Sequence, residues 1–222
     1  TAIENCKHII MMNSEADLIF GPYLMHLAHR NNVVYTSCDG DQPTVIIRLI
    51  NELRLWGFEP VLAGNIKGFL DRYSDPTKII PEADKRFLDY KMCASYTDGT
   101  KLCVEMALVA NALGMEVDVP GMHGPRANHI LDALELFDLE RLQQSGKKIV
   151  DYVIGPEPKG GVFAIGYCDN KYQQSMLNWF PNQMGKGPFY LFRRPYHLVH
   201  IEALQCVPDA VLDGESVLQP IA

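Results

Sequence analysis

The residues best suited to chemistry in this chain fall in one short run, Asp98-Gly99-Thr100-Lys101-Leu102-Cys103-Val104-Glu105. A lysine in the first turn of a helix faces the positive end of the helix dipole, so local stability argues against it. A residue that breaks a local rule marks a place where function can override stability. An ammonium beside inward-pointing N–H groups can hold a carboxylate or phosphate, or polarise a carbonyl oxygen. Asp98, just upstream, could orient that lysine or take a substrate proton. Glu105, one turn beyond Lys101 on the same face, is either a further catalytic carboxylate or the salt-bridge partner of the lysine. A plainer account also stands: Asp98 as an N-cap and Lys101 as a solvated surface lysine.

The element carrying these residues is a helix. Leu102, Met106, Val109, Ala110 and Leu113 give it one apolar face, and Gly114 stops it. Ser95, Thr97 and Asp98 are candidate starts. Before it, residues 8–12 (HIIMM), 33–36 (VVYT) and 59–63 (EPVLA) read as strands. Helical patterns over residues 18–30 and around Ile46, Leu49, Ile50 and Leu53 separate them. This alternation predicts two right-handed βαβ units in a parallel sheet.

In such sheets ligands lie outside the carboxyl ends of the strands. Asn13, Glu15, Ser37, Asp39 and Gly64 are therefore candidates for a cofactor, and Asp41 and Lys67 for a substrate. Turn and cap chemistry accounts equally well for Asp39 and Asp41. Farther along, His123 in GMHGP and Lys186 in Gly185-Lys186-Gly187 are further substrate-binding candidates, although His123 is also suited to holding its turn. The later region mixes a helix over residues 128–144 with strands at residues 150–154, 162–168 and 189–193.

The expected fold class is α/β. An incomplete Rossmann-type parallel sheet, its C-terminal half, occupies residues 1–90. An α+β substrate and dimerisation domain follows at residues 91–197, and residues 198–222 form a helix and tail leading to a missing C-terminal domain. No G-x-G-x-x-G fingerprint is present.

Composition narrows the function. The 222 residues carry a net charge of −7 and no basic run, which argues against nucleic acid as a partner. No apolar stretch reaches the roughly 20 residues of a membrane helix. Six scattered cysteines without a C-x-x-C pair suit a reduced, cytoplasmic protein. His26/His29 and His197/His200 sit in no recognised ligand pattern, so no metal is expected.

Several motifs together carry a resemblance: NSEAD at residues 13–17, GDQP at 40–43, the strand ending in Ala63-Gly64, DGTK at 98–101 followed by VEMALVANALG, GMHGP at 121–125, and GPFYLFRRPYHL at 187–198. Their order resembles the homoserine-dehydrogenase-like NAD(P)-dependent oxidoreductases. The match is to the branch whose members often carry a SAF domain and which includes enzymes similar to deoxyxylulose-phosphate reductoisomerase. The resemblance implies NADP or NAD as cofactor, a small anionic hydroxy or oxo substrate and a homo-oligomer. It also implies a longer parent, with a glycine-rich segment before Thr1 and a domain after Ala222, so that this fragment alone would be inactive. Lys101 and Asp98 look like the counterparts of the family's reacting lysine and aspartate. Their spacing differs from the usual homoserine dehydrogenase signature, which points away from homoserine itself. The competing expectation is a non-catalytic binding or assembly domain.

Overall fold

The computed structural model describes residues 1–180 and 184–220. The described residues form a mixed α/β structure with two sheets. Strands β1 (Ile9–Met11) and β2 (Tyr35–Ser37) pair in parallel, Ile10 opposite Thr36, with helix α1 (Ser14–Arg30) between them in the chain. The Asn13 side chain caps α1 by accepting the Ala16 N–H at 2.6 Å, so the helix starts earlier than its apolar pattern suggests. Met25 and Ala28 of α1 pack with Ile3, Val33 and Tyr35 to form this layer's small core.

Helix α2 (Gln42–Leu55) leads to the long strand β3 (Glu59–Lys67), which is buried from residue 60 to residue 66. Helices α3 (Ile80–Arg86), α4 (Tyr90–Thr97) and α5 (Thr100–Leu113) follow, then short helices α6 (Ala133–Leu136) and α7 (Leu139–Ser145). Strands β4 (Ile149–Ile154) and β5 (Val162–Tyr167), helix α8 (Lys171–Trp179), strand β6 (Phe189–Arg194) and helix α9 (Val199–Glu202) come next. The second sheet has the order β4-β3-β5-β6; β3 runs parallel to β4 and antiparallel to β5, which is antiparallel to β6.

Alternation along β3 divides the core. Ala63 joins Ile46, Ile50 and Leu53 of α2 and Leu102, Met106 and Val109 of α5 on one face. Leu62 and Ile66 join Ile130, Phe137, Leu139 and Leu142 on the other. Asn65 shares the parity of Ala63, which turns it toward α2 and α5. No helix among the described residues is long and apolar enough to cross a membrane.

Three local expectations need correction. Strand β3 does not extend the β1–β2 pair into a second βαβ unit; it pairs with β4 and β5. The apolar face of α2 meets the four-stranded sheet, so the break between sheets falls after β2, and residues 59–67 belong with the later strands. The helix carrying Lys101 stops at Gly114 as expected, but Ser95 and Thr97, two of its candidate starts, lie in α4, which is parted from α5 where Gly99 takes φ 92°. The helix expected over residues 128–144 is also broken, because Phe137 is extended and buried and Asp138 caps α7.

Gly64 is required by this packing. A Cβ there would run into the Phe163 ring and lie 3.0 Å from the Asp151 carbonyl oxygen. Gly64→Val is therefore expected to destabilise the protein by about 1–3 kcal/mol through overpacking, read as a lowered midpoint in urea unfolding; an unchanged midpoint would contradict this account.

Candidate active site

The Glu105 side chain projects from the second turn of α5 into the seam between α2, α5 and the carboxyl end of β3, and is 2% exposed. Its Oε2 lies 3.4 Å from Asn65 Nδ2 and 3.8 Å from Lys67 Nζ; its Oε1 lies 4.0 Å from Lys101 Nζ. Gln42, in the first turn of α2, closes the arrangement from above. Its amide exchanges two hydrogen bonds with Asn65, at 3.0 and 2.6 Å, and its Oε1 accepts from Lys67 Nζ at 3.3 Å. Turned over, the same amide donates to Glu105 and accepts from His197 Nε2 at 3.2 Å.

Asp41 ties the two sheets together at this point. One carboxylate oxygen accepts the Gln42 N–H at 3.0 Å as the N-cap of α2, and the other accepts the Ser14 hydroxyl at 2.7 Å. The ends of β1 and β2 are thereby brought against the start of α2, as the rule for parallel strands leads one to expect. Lys101 Nζ also sits 5.0 Å from the centroid of the Tyr96 ring, a cation–π distance.

Burial dominates the electrostatics of Glu105. It pushes the carboxyl up to about 7 against the pull of Lys67, with Asp41 adding to the rise, Lys101 opposing it and Glu15 adding again. Burial likewise lowers Lys67, with Glu105 opposing. For Lys101, burial works against the charged form, but Asp41 and Glu105 outweigh it and its pKa rises. Burial lowers His197, against the pull of Asp41. A carboxyl that can hold or release a proton near neutrality, beside two ammonium groups, is chemically capable of proton transfer, and the ammonium groups are capable of stabilising a developing oxyanion.

Of the residues singled out in the sequence, the structure gathers Lys101, Glu105, Lys67 and Asp41, with Glu15 close enough to influence both Lys101 and Glu105. The others lie elsewhere. Asp98 accepts the Thr100 N–H at 2.8 Å, linking α4 to α5, and does not orient Lys101. Asn13 caps α1. Ser37 donates to Asp17 at 2.6 Å, and the buried Asp39 pairs with Arg48 at 2.6 Å. His123 Nε2 contacts Asp118 at 2.9 Å, while the N–H groups of His123 and Gly124 donate to Asp151, each at 2.9 Å. That histidine holds its turn. Lys186 is exposed on the segment before β6.

Gln42, Asn65, Tyr96 and His197 were not among the candidates. The available signals were Gln42 within GDQP, His197 within GPFYLFRRPYHL, and Asn65 as an amide in an otherwise apolar strand. A cavity of about 610 Å³ adjoins the cluster, with Lys67 and Tyr96 in its wall.

The raised Glu105 carboxyl has a consequence for stability. Because it holds its proton more tightly folded than unfolded, its favourable contribution is complete below about pH 4.5 and is lost as pH rises through about 7. Glu105→Gln removes that titration. The stability of the variant relative to the parent should therefore climb between those two pH values in urea denaturation; a pH-independent difference would contradict the burial-driven shift.

No curated protein matches the chain. Residues 40–203, most of the chain, match the family described as oxidoreductase DRL, catalytic domain. That span contains Asp41, Gln42, Asn65, Lys67, Tyr96, Lys101, Glu105 and His197. With its α/β fold and a buried acid–base cluster inside the matched region, the chain belongs to the oxidoreductase DRL catalytic-domain family.

Proposed function

We propose that this oxidoreductase module serves hydride transfer between a nicotinamide cofactor, NADP or NAD, and a small anionic hydroxy or oxo substrate. The observation that carries the reading is the buried Glu105 carboxyl set between Lys67 and Lys101 at the carboxyl end of β3.

The residues fit one end of such a cofactor. Glu15 and Asp41, at the carboxyl ends of the parallel pair, and the Lys101 ammonium could border the reacting ring. The described residues offer no glycine-rich cradle for the dinucleotide phosphates, and Asn13, Ser37, Asp39 and Gly64 are committed to caps, ion pairs and packing. When bound, a nicotinamide would supply or accept the hydride.

The chain's own residues handle charge and protons. In the reducing direction the substrate oxygen gains negative charge, and Lys101 stabilises it and then donates a proton from Nζ. Glu105, protonated over part of the neutral range, is the group from which Lys101 regains that proton. Lys67 holds the substrate's anionic group. Asn65, itself held by Gln42, hydrogen-bonds the Glu105 carboxyl and keeps it facing both lysines. His197, whose pKa burial lowers, stays largely neutral at neutral pH and covers the cluster without adding a third cation.

Lys101→Met keeps the length and apolar stem of the side chain and removes the ammonium. In the full-length enzyme it should lower kcat by about 100-fold or more while leaving the dissociation constant for NADPH, measured by fluorescence titration, within about twofold of the parent. Retained turnover would remove Lys101 from the chemistry and the proposal with it.

A further inference from the structure

The Gln42 amide has two neighbours besides Asn65, one on each side. With its oxygen toward Lys67, that oxygen also lies against Glu105 Oε2, and the amide nitrogen lies 3.2 Å from His197 Nε2. A carboxyl oxygen and an amide oxygen in contact repel unless a proton stands between them. This orientation therefore belongs to protonated Glu105, whose O–H donates to Gln42 Oε1. It also fixes the histidine. An amide N–H aimed at Nε2 needs a lone pair there, so the hydrogen of the neutral ring must sit on Nδ1.

Loss of the Glu105 proton reverses each of these demands. A carboxylate only accepts, so the amide must present its nitrogen, and its oxygen then faces His197 Nε2, which must carry hydrogen. The pairing with Asn65 survives the turn. If both amides rotate together, the same positions, 2.6 and 3.0 Å apart, again hold two N–H···O bonds with donor and acceptor exchanged. Glu105 loses the 3.4 Å bond from Asn65 and gains one from Gln42, while Lys67 gives up Gln42 Oε1 and keeps Glu105 at 3.8 Å. The charged groups acting on Glu105 are Lys67, Asp41, Lys101 and Glu15; those acting on His197 are Asp41, Lys67, Lys101 and Glu202. Asp41 is already bonded to Ser14 and the Gln42 N–H, and Glu202 to Arg194 and the Leu198 N–H. Burial raises Glu105 to about 7 and lowers His197, so across neutrality the carboxyl changes charge while the ring stays largely neutral.

We infer that Gln42 is a hydrogen-bond switch between Glu105 and His197: its amide turns over with the Glu105 proton and sets which nitrogen of the histidine ring carries hydrogen. In turnover, the O–H bond at Glu105 breaks as the N–H bond at Lys101 forms, and the turned amide meets the new carboxylate with an N–H. The ring gives up a proton at Nδ1 and takes one at Nε2, both exchanged with solvent, so it stays neutral while Nδ1 changes from donor to acceptor. Gln42 and His197 are thus positioning residues. This use of the switch, though not the switch itself, rests on the reaction proposed above.

Ring-nitrogen NMR of the chain labelled with ¹⁵N-histidine reads the tautomer directly, the His197 signals being assigned by their loss in His197→Gln. Spectra at about pH 6 and about pH 8.5 bracket the Glu105 titration. In the parent, the hydrogen of His197 should shift from Nδ1 at the lower pH to Nε2 at the higher. Gln42→Met, which keeps the length of the side chain and removes the amide, should abolish that shift. Glu105→Gln, close in shape and uncharged at both pH values, should hold the ring in one tautomer throughout, and it carries the test if Gln42→Met does not fold. No change of tautomer in the parent, or a change that survives either substitution, would overturn the switch. A switch that behaves as expected while Lys101→Met retains turnover would refute the reaction and leave the switch standing. An absent switch beside an inactive Lys101→Met would do the reverse.

Discussion

The structure turns on one buried carboxyl group held between two ammonium groups. A carboxylate alone in a low-dielectric seam would be driven to its neutral form, and two lysines alone would be driven to shed their protons. Together they offset one another, and the surrounding amides complete the hydrogen bonding. Among the described residues no buried side-chain nitrogen or oxygen lacks a partner. The arrangement also explains why Lys101 is tolerated at the unfavourable end of a helix whose first turn has no acidic residue. Its counter-charges come from Glu105, a turn farther on, and from Asp41 on a different helix.

That balance demands accurate placement, and the packing supplies it. Helices α2 and α5 lie on the same face of the sheet, and their apolar residues share a core with Ala63, two positions before Asn65. Any shift of α2 along the sheet would move Gln42 off Asn65, so the core and the polar cluster fix the same register. Asp151 performs a similar service on the neighbouring strand. Fully buried, it accepts backbone N–H groups from His123, Gly124 and Tyr152, and so ties the GMHGP turn to the end of the sheet farthest from β6.

Much of this was legible in the residues. The apolar spacing from Leu102 to Leu113 and the stop at Gly114 marked α5, and the dipole violation at Lys101 singled out a residue at the heart of the cluster. The carboxyl-end rule led to Lys67 and Asp41. Proximity to a strand end says nothing about which way a side chain turns, so the partners of Ser37 and Asp39, Asp17 and Arg48, are announced by no local pattern. The placement of β3 failed for a related reason. A strand buried on both faces reads the same whether its neighbours are earlier or later in the chain, and only the apolar face of α2, meeting its complement on β5 as well as β3, decides between sheets. Asn65 was overlooked because one amide in an apolar strand carries no periodic signal.

The position of β3 also bears on how the chain reaches this state. Its partners, β4 and β5, are synthesised long after it: Lys67 pairs with Ile154 and Asn65 with Val162. Closing such distant segments is entropically costly and slows the search for the native topology. Once formed, β3 is paired along both edges and covered on both faces, which puts its amides among those slowest to exchange with solvent.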